Sequence, residues 1–150
     1  MMNLNEQDTL KATGELEIVV RDEAGNIKET VKAKNLVVTV GKNYIASRMV
    51  GAASTVMSHM AIGTSTSTPA VANTTLGTEA GRVALASFTA SGNAVTSTAT
   101  FPAGTGTGAI TEAGIFNASS SGTMLCRTTF PVVNKAAGDS IAVTWVVTVS

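Results

Sequence analysis

The stretch with the most obvious chemical potential is Phe101 to Asn117, "FPAGTGTGAITEAGIFN", in which glycines 104, 106 and 108 alternate with Thr105 and Thr107 and precede Glu112. A phosphate- or dinucleotide-binding loop uses such glycines to bring backbone N–H groups onto an anion, and it needs a helix opening directly behind them. The residues behind Gly108 have strand period instead. Ile110, Glu112, Gly114 and Phe116 fall on one side, and Thr111, Ala113, Ile115 and Asn117 on the other. The lysine of a GK[ST] loop is also missing. The glycines are therefore expected to shape a corner between strands.

Other reactive side chains are few. His59 and Cys126 are the single members of their types, so a zinc site would have to be completed by carboxylates, and no ligand spacing points to one. Serine and threonine are abundant, but the GxSxG setting of a nucleophile is absent. Asp22 in "DEAGN" and Asp139 in "AAGDS" fall in turns, where a side chain bonded to its own backbone accounts for them. The sequence predicts no catalytic residue, no cofactor and no metal site, and so no enzyme.

Four charged residues are more informative. Glu79 and Arg82 stand three apart in "TLGTEAGR", while Glu112 and Arg127 lie in otherwise apolar or neutral runs that a hairpin would bring together. A carboxylate and a guanidinium form a bidentate bond that fixes register across a sheet or between subunits. A carboxylate so held is a poor proton donor, and both pairs are read as structural.

The elements that must position these residues are mostly strands. In "GELEIVVRDEAGNIKETVKAK", Leu16, Ile18 and Val20 alternate with polar neighbours, a turn follows at "DEAGN", and Ile27 to Lys34 alternate again. Glu29 interrupts the apolar side of the return strand, which predicts a peripheral hairpin. "GKNYIASRMVGAA" is the one helical stretch, with Tyr44, Ile45, Arg48 and Met49 on one face and Gly51 as a stop. "VMSHMAIG" reads as a strand, and "TSTSTPAVANTTLGTEAG" as a long surface loop. From Arg82 onward hairpins follow one another. "RVALASFTA" turns through "SGN" into "AVTSTATF", and "AITEAGIFN" turns into "TMLCRTTF", with Met124, Cys126, Thr128 and Phe130 on one face. In "IAVTWVVTV" the face of Ile141, Val143, Trp145, Val147 and Val149 makes Trp145 the expected core anchor. Short strands recurring with turn signals predict a mainly β, antiparallel sandwich of jelly-roll type with one short helix and an N-terminal β-hairpin. The expected division is an N-terminal arm over residues 1–13 and a single domain over residues 14–150.

Composition narrows the function. Ten basic and ten acidic residues in 150 leave no net charge to draw in nucleic acid or an anionic membrane. Twelve of these twenty lie within residues 1–34. Charged residues make up 13% of the chain against 44% hydrophobic, a low ratio for a small monomer, which points to surface covered by partners. A single cysteine fits synthesis in a reducing cytosol. The N-terminus "MMNLNEQD" has no signal-peptide pattern, and no apolar run reaches about 18 residues.

Three segments carry a resemblance: "NLVVTVGKNYIASRM", "MAIGTSTSTPAVANTTLGTEAGRVA" and "TATFPAGTGTGAITEAGIFNASSSGTMLCRTTFPVVNKAAGDSIAVTWVVTVS". From about Asn35 to the C-terminus the chain resembles small virion structural proteins of tailed bacteriophages, above all capsid cement or decoration proteins. The resemblance implies a virion protein, and among positions in the particle the expected one is the capsid surface, as a small β domain made in the host bacterial cytoplasm. Its partner there would be the major capsid protein, across whose joints it would bind as a dimer or trimer. Within that expectation the charged arm adds a strand to an exposed edge of the capsid protein or of a neighbouring copy. The alternative is a tail-fibre or baseplate component whose loops, Thr64 to Gly77 or Ala103 to Ala109, face a host receptor. A sugar-binding sandwich is a weaker third reading, because Trp145 and Tyr44 are the only Trp and Tyr available for stacking.

Overall fold

The structure, a computed structural model, describes residues 9–51 and 55–150, and among them the chain forms nine β-strands and one helix. The first two strands, β1 (Ala12–Arg21) and β2 (Ile27–Val37), are the expected hairpin. Asp22 builds its turn: the Asp22 carboxylate accepts the Asn26 N–H at 2.9 Å, and the Asp22 carbonyl accepts that of Gly25. The hairpin is central rather than peripheral. β1 pairs along its whole length with β9 (Ser140–Val149) as well as with β2, and Leu16, Ile18 and Val20 are buried. Glu29 lies opposite Val20 near the open tip of the hairpin, where the alternation can break without opening the core.

Residues 1–8 of the expected arm lie outside the described residues. Of its last residues, Lys11 exchanges backbone hydrogen bonds with Ser150, and Ala12 and Thr13 pair with Val149 and Thr148.

The remaining strands are β3 (His59–Gly63), β4 (Glu79–Ala84), β5 (Ser87–Ser91), β6 (Ala94–Phe101), β7 (Gly108–Phe116) and β8 (Met124–Lys135). All pair antiparallel in one sheet of order β4-β3-β7-β8-β2-β1-β9-β6-β5. β2 joins the two halves: most of it pairs with β1, and only Leu36 and Val37 pair with Arg127 and Cys126 of β8. The terminal strands β4 and β5 are consecutive in the chain, separated by Leu85 and Ala86 alone, so the sheet must curl until its ends meet. Leu85 N–H donates to the Ser58 carbonyl and Ala86 N–H to that of Thr98, which bonds this link to both ends. "RVALASFTA" is therefore two strands, and its break links the two ends of the curl, which do not pair with each other.

Inside the curl, Leu16, Ile18, Phe101, Ile110, Ile115, Ile141, Val143 and Trp145 belong to one core. Trp145 is completely buried, and its indole N–H donates to Asn35 Oδ1 at 2.7 Å. Two register shifts revise the expected faces. One falls between Ile110 and Glu112, opposite the β8 segment containing Pro131, and Ile110 joins the core while Glu112 does not. The other falls between Ile115 and Phe116, and it puts Met124 with Phe116 instead of with Cys126 and Phe130.

The outer side of β3 and β7 carries a second, smaller core of Val38, Ala61, Leu76, Phe116 and Met124. It is roofed by the 64–78 loop, through Leu76, and by the start of α1 (Thr39–Met49). The helix begins two residues before Gly41 and has no side-chain N-cap; the Val71 carbonyl of the loop accepts the Thr39 N–H instead, at 2.8 Å. Gly41 sits against the Leu125 backbone so closely that any Cβ would collide with its carbonyl. Met49 is largely exposed, so the helical face rests on Tyr44 and Ile45.

Candidate functional site

The glycine run is explained by its backbone. Gly104, Gly106 and Gly108 all have positive φ, 83°, 69° and 134°, and the segment leads into β7 and not into a helix. Gly106 lies on Ile62 of β3, and the backbone there also approaches Gly81 of β4. The run is a corner pressed against the curled sheet.

Glu112 and Arg127 form the polar centre of the molecule, both almost completely buried. Arg127 lies opposite Gly114 on β8, two residues along β7 from Glu112 and on the same outward face. Its Nε and Nη2 donate to Glu112 Oε1 at 3.1 and 3.0 Å. The carboxylate also accepts three backbone N–H groups: Gly77 on Oε1 at 2.8 Å, and Ser65 and Thr78 on Oε2 at 2.9 and 2.8 Å. The rest of the guanidinium reaches Asn73 Oδ1 and Ser67 Oγ, both at 3.2 Å, and Thr111 Oγ1 donates to the Ser65 carbonyl. Both charges are thus spent on the 64–78 loop. This is an arrangement for holding a surface in one shape.

Arg82 makes a second clasp. It forks onto Glu79, with Nε to Oε2 at 3.1 Å and Nη2 to Oε1 at 2.7 Å, while Nη1 donates to the Ala118 and Ser121 carbonyls at 2.9 Å each. The guanidinium lies 3.8 Å from the centroid of the Phe116 ring. The turn it holds contains Ser121, the one non-glycine residue with positive φ among the described residues.

A third charged group joins distant parts of the chain. Lys28 Nζ donates to Asp139 Oδ2 at 2.6 Å, and the same oxygen accepts the Ala136 N–H at 2.8 Å. The hydrogen bond from Lys28, with that from Ala136, holds the Asp139 carboxyl below its ordinary range. Lys135 is buried and donates to the Pro102 carbonyl at 2.9 Å; desolvation lowers its pKa, opposed by the charge of Asp139. The turn around Asp139 was legible in sequence. Its partner Lys28, 111 residues away, was not.

Separation along the chain, here of 35 to 60 residues, likewise hid Ser65, Ser67, Asn73 and Gly77. Their stretch carries no periodicity, and only the fold sets it over Glu112 and Arg127. His59 Nδ1 lies 2.8 Å from Ser58 Oγ at the start of β3, and Cys126 is buried, with desolvation raising its thiol pKa far above the usual value. No group of three His, Cys, Asp or Glu side chains fit for a metal occurs among the described residues. On the outer face of β1, β2 and β9 an open depression of about 630 Å³ is lined by Glu15, Glu17, Lys32 and Lys34 among threonines, with Lys32 3.7 Å from Glu17. Comparison with family models, with curated proteins and with solved structures found no match to this chain.

Proposed function

We propose that this protein is a structural component of a tailed-bacteriophage virion, a cement or decoration protein. It would lie on the outside of the capsid across joints between major capsid proteins. One observation carries the reading beyond the sequence resemblance: the most deeply buried charges, Glu112 and Arg127, bind backbone and loop groups of the 64–78 segment. Burying an ion pair is costly, and here it serves a fixed outer surface, which suits a protein whose work is contact. The jelly-roll-like sandwich belongs to the same reading and is supported by β2, which leaves one half of the sheet to pair with the other.

The protein would be made in the host cytoplasm and act in the particle. Many copies on a shell would need only modest interfaces, since linked contacts can gain about 10²–10⁴ over a single one. Quantitative mass spectrometry of purified virions tests the placement. Hundreds of copies in fixed ratio to the major capsid protein are expected. A few to a few dozen would overturn the capsid assignment and favour a tail-fibre or baseplate component, a second reading supported by the rigid mounting of the 64–78 loop as a receptor-facing surface.

A further inference from the structure

The two ends of the curled sheet are unequal. β4 carries Glu79 and Arg82, whereas every residue of β5, Ser87–Ser91, is exposed, and the chain from Val83 to Thr111 contains no Asp, Glu, Lys or Arg. A sheet edge offers unpaired N–H and C=O groups to any extended strand, and natural edges are commonly guarded by lysine or proline. β5 has neither.

The β5–β6 hairpin turns through Gly92 and Asn93, and its ladder pairs Ser91 with Ala94, Thr89 with Thr96 and Ser87 with Thr98. In a two-residue hairpin the closing pair exchanges hydrogen bonds, and bonded pairs alternate from there. Thr89 therefore spends its backbone groups on β6, and those of Phe88 and Ala90 point outward.

The sequence of the edge, Ser-Phe-Thr-Ala-Ser, is nearly symmetric about Thr89. We propose that β5 pairs antiparallel with β5 of a second copy of this chain, about a two-fold axis at Thr89. Phe88 then exchanges backbone hydrogen bonds with the second copy's Ala90, and Ala90 with its Phe88. On one face the large Phe88 packs beside the small Ala90. Phe88 lies opposite the buried Ser97 at the margin of the core and is 38% exposed in the single chain, so the added strand covers it. On the other face serine meets serine and threonine meets threonine, pairs that form cross-strand hydrogen bonds. The near-symmetry of the edge points to a second copy as the occupant, and its neutrality permits the pairing, because in a two-fold arrangement a charge at the centre would meet itself. The pairing is independent of where in a virion the protein sits.

Sedimentation velocity at protein concentrations up to about 1 mM, where weak association becomes populated, is expected to show a monomer–dimer equilibrium. Thr89→Lys and Thr89→Glu should each weaken it about tenfold or more, and an equal mixture of the two should restore it. Thr89→Cys should form a disulfide-linked dimer on mild oxidation, since the residues at the axis form a non-hydrogen-bonded pair about 4.5 Å apart at Cα. Ser91→Cys, which would face Ser87 of the second copy, should not. A wild-type monomer throughout the range would overturn the proposal. So would a dimer unchanged by both Thr89 charges, or one lost in each variant and not restored by mixing.

Discussion

Glu112 Oε1 lies 3.0 Å from Arg127 Nη2, and the same carboxylate accepts the N–H groups of Ser65 near the start of the β3–β4 loop and of Gly77 and Thr78 at its end. One buried charge pair therefore fixes both ends of the loop.

Removing either partner leaves the other charge buried, and removing Glu112 also strands the loop's N–H donors. Glu112→Ala and Arg127→Ala are each expected to cost about 3–5 kcal/mol, a large share of the roughly 5–15 kcal/mol that stabilises a typical domain. The double variant should cost clearly less than the sum, because the two share one network. Urea unfolding of the four proteins measures the coupling, and additivity would show that the pair does not act as a unit. Hydrogen exchange within 64–78 should rise in Glu112→Ala.

Gly106 and Gly104 separate two reasons for glycine. Both have positive φ, but a Cβ at Gly106 would strike Ile62, whereas one at Gly104 meets open space. Gly104→Ala should cost about 1–2 kcal/mol, the left-handed backbone penalty alone. Gly106→Ala should cost more by the displacement of Ile62. Equal melting temperatures for the two variants would contradict this packing.

The Lys28–Asp139 bond gives stability an acid limb. Asp139 titrates lower in the folded chain than in the unfolded one, where its value returns to about 3.9. Its contribution is complete above that pH and is lost as pH falls through the folded value, since the unfolded chain binds the proton first. Asp139→Asn should flatten the fall in stability below about pH 4 relative to the wild type. Denaturation curves across that window would reveal an unchanged slope if the bond contributes nothing.

Cys126 is buried at the β7–β8 contact opposite Ile115, and burial suppresses its thiolate. A thiol reagent should leave it unmodified in the native protein and react fully in denaturant. Rapid native alkylation would mean that β8 opens locally.

Much of this molecule is written in local pattern. Strand alternation marked Leu16, Ile18 and Val20, and the face from Ile141 to Val147 with Trp145 in it; the turn residues of "DEAGN" and "SGN" marked their hairpins. The same alternation misplaced Ile110 and Met124, because a register shift turns side chains to the other face and depends on the partner strand. Glu29 suggested a peripheral hairpin, yet the hairpin lies mid-sheet, since one polar residue near a tip does not outweigh the burial of an entire strand face.

What the sequence determined by itself was the strand-rich class, the glycine corner before β7 and the two Glu/Arg pairings as candidates, each set by periodicity or by backbone conformation within a few residues. The tertiary structure decided the rest: the meeting of β4 and β5, the seat of the 64–78 loop on Glu112 and Arg127, and the bond from Lys28 to Asp139. These contacts join residues far apart in the chain. Their formation depends on how the whole sheet curls to bury its core, a property that no single segment encodes.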